Sequence, residues 1–266
     1  MKPAWRWTTT LAAAAAAGCA GAAWAHGGEA GAPAIDVAQL AALAALGVAG
    51  ALYLRALRRG SVLKARHAAA FFAGWLALLV ALAPPLDGAA AQSFALHMVQ
   101  HELLMIVAPP LLILGRPYAA LAAALPASPG IVRLAALPLA MPPLAAFALH
   151  VVALWIWHVP RWFDAGLASD GVHALQHASF FWTALLFWWA VLRQWRSGVA
   201  LAWLLGAMIA SGALAALLTF APAPLYAGAT LAEQQLGGLL MWVPAGYVLL
   251  FAALLGFDRL LRTSAA

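Results

Sequence analysis

Seven apolar stretches follow one another along the chain, at 37–57, 68–86, 94–114, 138–158, 171–192, 199–221 and 235–257. Each is close to the roughly twenty residues that a helix needs to cross a bilayer. Residues 118–137 are also apolar, but Pro126, Pro129 and Gly130 interrupt them, so they are expected to form a partly helical loop on the membrane surface. The pattern predicts an all-α, polytopic membrane helix bundle of seven transmembrane helices after an N-terminal leader.

Prolines lie within or at the ends of several stretches: Pro84-Pro85, Pro109-Pro110, Pro142-Pro143, Pro222, Pro224 and Pro244. An interior proline removes a helix hydrogen bond and kinks the backbone. Trp155, Trp157, Trp162 and Trp242 near one set of span ends suit an interfacial belt, as do Trp188, Trp189 and Trp195 near the other.

Composition agrees with this pattern. Hydrophobic residues make up 66% of the chain and charged ones only 8%, against about 25% charged in a soluble domain. The formal charge of +6 does not point to nucleic acid, because the basic residues flank apolar spans instead of forming patches with interleaved aromatics. Residues 1–25 read as a secretory leader: Lys2 and Arg6, the apolar run 11–17, then the small-x-small site Ala23-Trp24-Ala25. Lipoprotein processing at Cys19 and an uncleaved anchor are the alternatives. Residues 26–36 form a short linker, 37–258 the seven-helix domain and 259–266 a tail.

Charge also orients the bundle. With the mature N-terminus outside, the inner connections carry Arg55, Arg58, Arg59, Lys64, Arg66, Arg116, Arg133, Arg193, Arg196, Arg259 and Arg262, whereas the outer ones carry only Arg161. Basic residues gather on the cytoplasmic side of membrane proteins, so the expected placement is multi-pass in the cytoplasmic (inner) membrane with the mature N-terminus outside and the C-terminus in the cytoplasm.

That orientation gathers the histidines. His97 and His101 fall in the outer half of the third span, His150 and His158 in the fourth, His173 and His177 in the fifth, and His26 on the same side. Only His67 lies elsewhere. The i, i+4 pairs each occupy one helix face, and both sit in the pattern H-x-x-Q-H, a hint of duplication. A single intramembrane histidine is usually a packing residue that bridges helices. Six at one end of a bundle favour a shared metal, which satisfies several buried imidazoles at once.

The single cysteine, Cys19, lies in the leader, so a thiolate cluster is not available and the ligands must be His, Met, carboxylate or backbone. The expected metal set is His97, His101, His158, His173 and His177, with His150 as a deeper station. Met98, Met105 and Met241 lie at comparable depth, and soft thioethers favour Cu(I), which makes copper the expected metal. Haem is the rival, since histidines from two helices can ligate one iron, but a single haem leaves most of the others unexplained. His101-Glu102-Leu103-Leu104-Met105 begins like the zinc-protease motif H-E-x-x-H and lacks its second histidine, so proteolysis is rejected. The sequence also offers no phosphate loop and no serine nucleophile that suggests an enzyme. Glu102 is either a structural carboxyl or part of a proton path.

These residues resemble a known family, the multi-span CtaG-type cytochrome c oxidase assembly proteins of bacteria, associated with caa-type oxidases. The likeness rests on His97-Met98-Val99-Gln100-His101, Ala108-Pro109-Pro110-Leu111-Leu112 and Gly115-Arg116-Pro117. It continues through Trp157-His158-Val159-Pro160 with Asp164, His173-Ala174-Leu175-Gln176-His177, Glu233-Gln234-Gln235-Leu236-Gly237-Gly238 and Met241-Trp242-Val243-Pro244. Glu233 stands where aspartate is expected. The chain does not resemble the single-span, cysteine-dependent copper chaperone that shares the family name. The resemblance implies an assembly factor, not an enzyme, that serves a haem–copper oxidase subunit in the bilayer and plausibly supplies its copper. An outer-face copper donor would load it, with His26 as a possible first point of capture. Copper import, a haem redox protein and a metal-free scaffold are the competing readings.

Overall fold

The computed structural model describes residues 37–125, 141–195 and 197–264, and every regular element among them is helical. In chain order these are α1 (Val37–Arg58), α2 (Ala65–Leu82), α3 (Pro84–Ala90), α4 (Phe94–Glu102), a π-helical turn (Leu103–Val107), α5 (Ala108–Leu114) and α6 (Pro117–Ala124). Then come α7 (Pro143–Trp157), α8 (Pro160–Ala168), α9 (Asp170–Arg193), α10 (Gly198–Thr219) and α11 (Leu231–Ser264). The leader, the linker with His26, Cys19 and most of the 118–137 loop lie outside the described residues; Pro117–Ala124 is helical, as a partly helical loop requires.

Six helices are long and apolar enough to cross a membrane, and α7 with α8, bent by 75°, makes a seventh if the pair is one broken span. The fourth span ends within one residue of the expected 158, and its described part begins at Pro143. α7 stops at Trp157, and the chain turns sharply through His158 and Val159 because Pro160 restarts it as the first residue of α8. The unbroken run from Phe94 to Leu114 is 67% buried along its most apolar stretch and α9 is 50% buried, against 28% for the other four. The two histidine-pair spans are thus the innermost.

The second span ends early, at Leu82 instead of residue 86, because Pro84 and Pro85 supply no N–H. The carbonyls left over are taken by glutamines from neighbouring spans. Gln100 Nε2 donates to Ala81 O at 2.7 Å and to Asp87 Oδ1 at 2.8 Å. Gln39 Nε2 donates to Leu82 O at 3.0 Å and to Asp87 Oδ2 at 3.4 Å. All three side chains are buried, so one carboxyl group and two amides tie α1, the α2–α3 break and α4 together. In a bilayer, where burial of apolar surface gives little preference for helix–helix contact over lipid, such bonds and close packing hold helices in place.

Pro109-Pro110 does not interrupt the third span. The π turn just before it closes with Ala108 N–H donating to Leu103 O, five residues back. Pro244 likewise lies inside α11 without ending it. Trp188 departs from the belt expected of it: its side chain is fully buried in the core, and its indole N–H donates to Met105 O. Trp157 is buried too, with Nε1 donating to Ser179 Oγ at 2.6 Å, which pins α7 to α9. Trp155, Trp162 and Trp242 keep exposed faces.

Candidate metal centre

The histidine pairs occupy matching places on their helices. Ser93 is the N-cap of α4 and Ser169 that of α9; His97 N–H donates to Ser93 O, and His173 N–H to Ser169 O, both at 3.0 Å. His97 and His173 are each the fourth residue of their helix, and His101 and His177 follow one turn later. The likeness of the two segments thus extends to S-x-x-x-H-x-x-Q-H. The glutamines have diverged in use: Gln100 serves the Asp87 clamp, whereas Gln176 lies against Gly166 of α8.

α11 fixes the histidine end of α4. Glu233 Oε2 accepts from Ser93 Oγ at 2.8 Å and from Ala95 N–H at 3.2 Å, placing a carboxylate on an open helix N-terminus. One turn on, Gly237 lies so close to Phe94 and Met98 that any Cβ would collide with the Phe94 ring. Gln234 accepts from Leu225 N–H through Oε1 and donates to Leu218 O through Nε2, anchoring the connection between α10 and α11.

Within this frame His97, His101, His173 and His177 converge, each offering a ring nitrogen within 4.8 Å of the others. Ring centroids are 4.4 Å apart for His97–His101, 3.9 Å for His173–His177, 5.1 Å for His97–His173 and 5.4 Å for His101–His177. All four are buried. Both ring nitrogens of His101 and both of His177 have no hydrogen-bond partner. A buried polar atom left unsatisfied costs about 1–3 kcal/mol, and a cation accepting the one lone pair of each neutral ring would remove that part of the cost. The donor set therefore fits a metal that takes imidazole ligands.

His158 stands next to the group. Its ring centroid lies 5.7 Å from that of His101, and its Nδ1 bonds Leu154 O at 2.7 Å. That bond requires the proton on Nδ1, which leaves Nε2, buried and without a hydrogen-bond partner, as the lone-pair nitrogen. His150 is placed differently, stacked on Phe187 with centroids 5.1 Å apart, and is not one of the four. Met98, Met105 and Met241 are buried in the apolar core that also holds Phe94, Phe163 and Phe180. Glu102, beside His101, is buried with Oε2 lacking a hydrogen-bond partner. His67 caps α2, accepting from Lys64 N–H on Nδ1.

Aromatic rings close the centre at both ends. Phe180 lies 4.7 Å from His101 and 5.8 Å from His158, while Phe163 lies 5.3 Å from His97 and 6.5 Å from His158, all between centroids. Phe94 and Tyr226 pack on Phe163.

Residue type alone did not reveal Phe163, Tyr226 and Trp188, because aromatics are common in membrane spans and at their ends. Gln39, Asp87, Gln100 and Gln234 carried a usable signal, since polar side chains at membrane depth are costly and must be paired.

These features define a polytopic helical membrane protein with a buried imidazole centre at one end of its bundle. Residues 48–263 match the model of the cytochrome c oxidase caa3 assembly factor family (Caa3_CtaG), and the chain belongs to that family. Its client is accordingly a cytochrome c oxidase. No curated protein and no solved structure matches the chain.

Proposed function

We propose that this assembly factor carries copper to the oxidase. It would hold the ion among His97, His101, His173 and His177, with His158 as an additional donor, and release it to an oxidase subunit docked alongside in the bilayer. The observation that carries the proposal is the convergence of four buried imidazoles, two of them with no hydrogen-bond partner on either nitrogen. Copper is preferred to zinc because the four donors are imidazoles without cysteine or carboxylate in the group, and Met98 and Met105, soft thioethers, stand on the same span as His97 and His101.

The ion is cargo, so the site must let it go. Neutral imidazoles supply lone pairs and no charge, which favours exchange over the permanent binding of a charged thiolate site. The distribution of basic residues supports a centre on the outer side of a bacterial inner membrane, where a copper donor would load it. On this reading the protein carries out no chemical conversion.

The test is Cu(I) competition against a chromophoric chelator with purified protein. His97→Ala/His101→Ala is expected to lower affinity by at least about a hundredfold, while His67→Ala binds as the wild type does. Equal behaviour of the two variants would reject the centre. Deleting the gene should leave oxidase polypeptide present but short of copper; normal copper content would favour a metal-free scaffold.

A further inference from the structure

The four imidazoles are between 0% and 7% exposed, so nothing reaches them until some part of the protein moves. The elements around them differ greatly in what movement would cost. α4 and α9 are the innermost spans, fixed by the Asp87 clamp, by Glu233 and by Trp157. α8 has nine residues and is joined to α7 by the sharp bend at His158, Val159 and Pro160. It buries Phe163 and Gly166, whereas Arg161 and Trp162 face outward. Short elements with few buried contacts open first.

Two hydrogen bonds fasten α8 and its hinge to the connection between α10 and α11. Tyr226 Oη donates to the carbonyl of His158 at 2.8 Å, and Ala227 N–H donates to Asp164 Oδ1 at 3.2 Å. Tyr226 also packs its ring on Phe163 at 4.3 Å and on Phe94 at 5.1 Å. Burial and the charge of Asp164 raise the Tyr226 phenol, so it remains a donor at any physiological pH. The buried ring of Phe163 fills the space over His97 and His158.

We propose that α8 is the gate of the imidazole centre, swinging on the His158–Pro160 hinge, with Phe163 as its plug and the Tyr226–His158 and Ala227–Asp164 bonds as its latch. As a statement about cargo this rests on the reading of the centre as a copper site; as a statement about access it does not. His158 links latch and cargo, since its carbonyl accepts the Tyr226 hydroxyl while its ring stands beside His101. Opening the hinge therefore shifts a donor group at the moment the route clears, and closing restores it.

The gate can be locked. With Cys19→Ser as background, Asp164→Cys/Ala227→Cys places two thiols at positions joined by the Ala227 N–H to Asp164 Oδ1 bond, and formation of the disulfide is checked by mass under oxidising and reducing conditions. Access is read without metal, as the rate at which diethyl pyrocarbonate modifies the four histidines, resolved by peptide mass spectrometry. The oxidised protein is expected to react at least about tenfold more slowly than the reduced one. Tyr226→Phe/Asp164→Ala, which removes the latch and keeps the ring, is expected to react at least roughly tenfold faster than wild type, the effect of losing one neutral and one charge-assisted hydrogen bond.

Equal rates in the oxidised and reduced forms would overturn the gate. So would failure of the disulfide to form together with an unchanged rate in the latch variant. Cu(I) loading of the same samples separates the two ideas. Gated labelling with no copper bound in either form removes the copper reading and leaves the gate; copper uptake at one rate in both forms removes the gate and leaves the copper reading.

Discussion

The indole N–H of Trp188 donates to the carbonyl of Met105 at 3.0 Å. In an α-helix that carbonyl would bond the N–H of residue 109, and in a π turn that of residue 110; both are prolines. A side chain from α9 thus supplies the donor that the third span cannot provide for itself, one turn beyond His101.

Trp188→Phe keeps an aromatic ring and leaves Met105 O without its partner. The expected cost is about 1–3 kcal/mol, seen as a lower unfolding temperature in detergent. Trp189→Phe, at a position where the indole N–H makes no hydrogen bond, should change it little by comparison.

Asp87→Asn is expected to destabilise by about 1–3 kcal/mol, because the amide introduced turns one of its two acceptor oxygens into a donor facing a glutamine N–H₂. The loss should appear both in thermal unfolding and as faster proteolysis near residues 83–92, where α2, α3 and α4 meet. An unchanged unfolding profile would show that the clamp does not hold these spans.

Glu233→Ala removes both acceptor contacts at the start of α4 and should lower the unfolding temperature, as the loss of a helix cap does. Glu233→Gln keeps an acceptor oxygen and loses the charge, so it should fall between Ala and wild type. Equal stability of Gln and Ala would mean that charge alone matters there.

His150→Ala is expected to bind Cu(I) within about twofold of wild type, well below the hundredfold effect expected for a ligand pair. The ring stacks on Phe187 and is not among the four converging imidazoles. A large loss would return His150 to the centre.

The sequence made the topology and the four imidazoles legible for the same reason: both are written in local spacing. Apolar runs of membrane length and histidines four apart each give a geometric statement without knowledge of the fold. The sequence also put His150 in the same half of the bundle, but depth along a helix says nothing about which neighbour a side chain meets; Phe187 met it first. The shortened second span follows from Pro84 and Pro85, whose effect depends on whether neighbours can supply the missing donors. Gln39 and Gln100 do so at the second span, and Trp188 does so for the carbonyl that Pro109 and Pro110 leave open in the third, from 19 to 83 residues away, and nothing local announces such a pairing.

His97 and His173 are both fourth in helices that begin at the same end of the bundle. Any cation resting between them sits near the positive poles of two backbone macrodipoles, a repulsion that fades within the first turn and that Glu233 and Asp170 temper from the same ends. The same imidazoles on the opposite termini would grip harder. On the copper reading, the direction of travel along two helices biases the pocket toward release of its cargo.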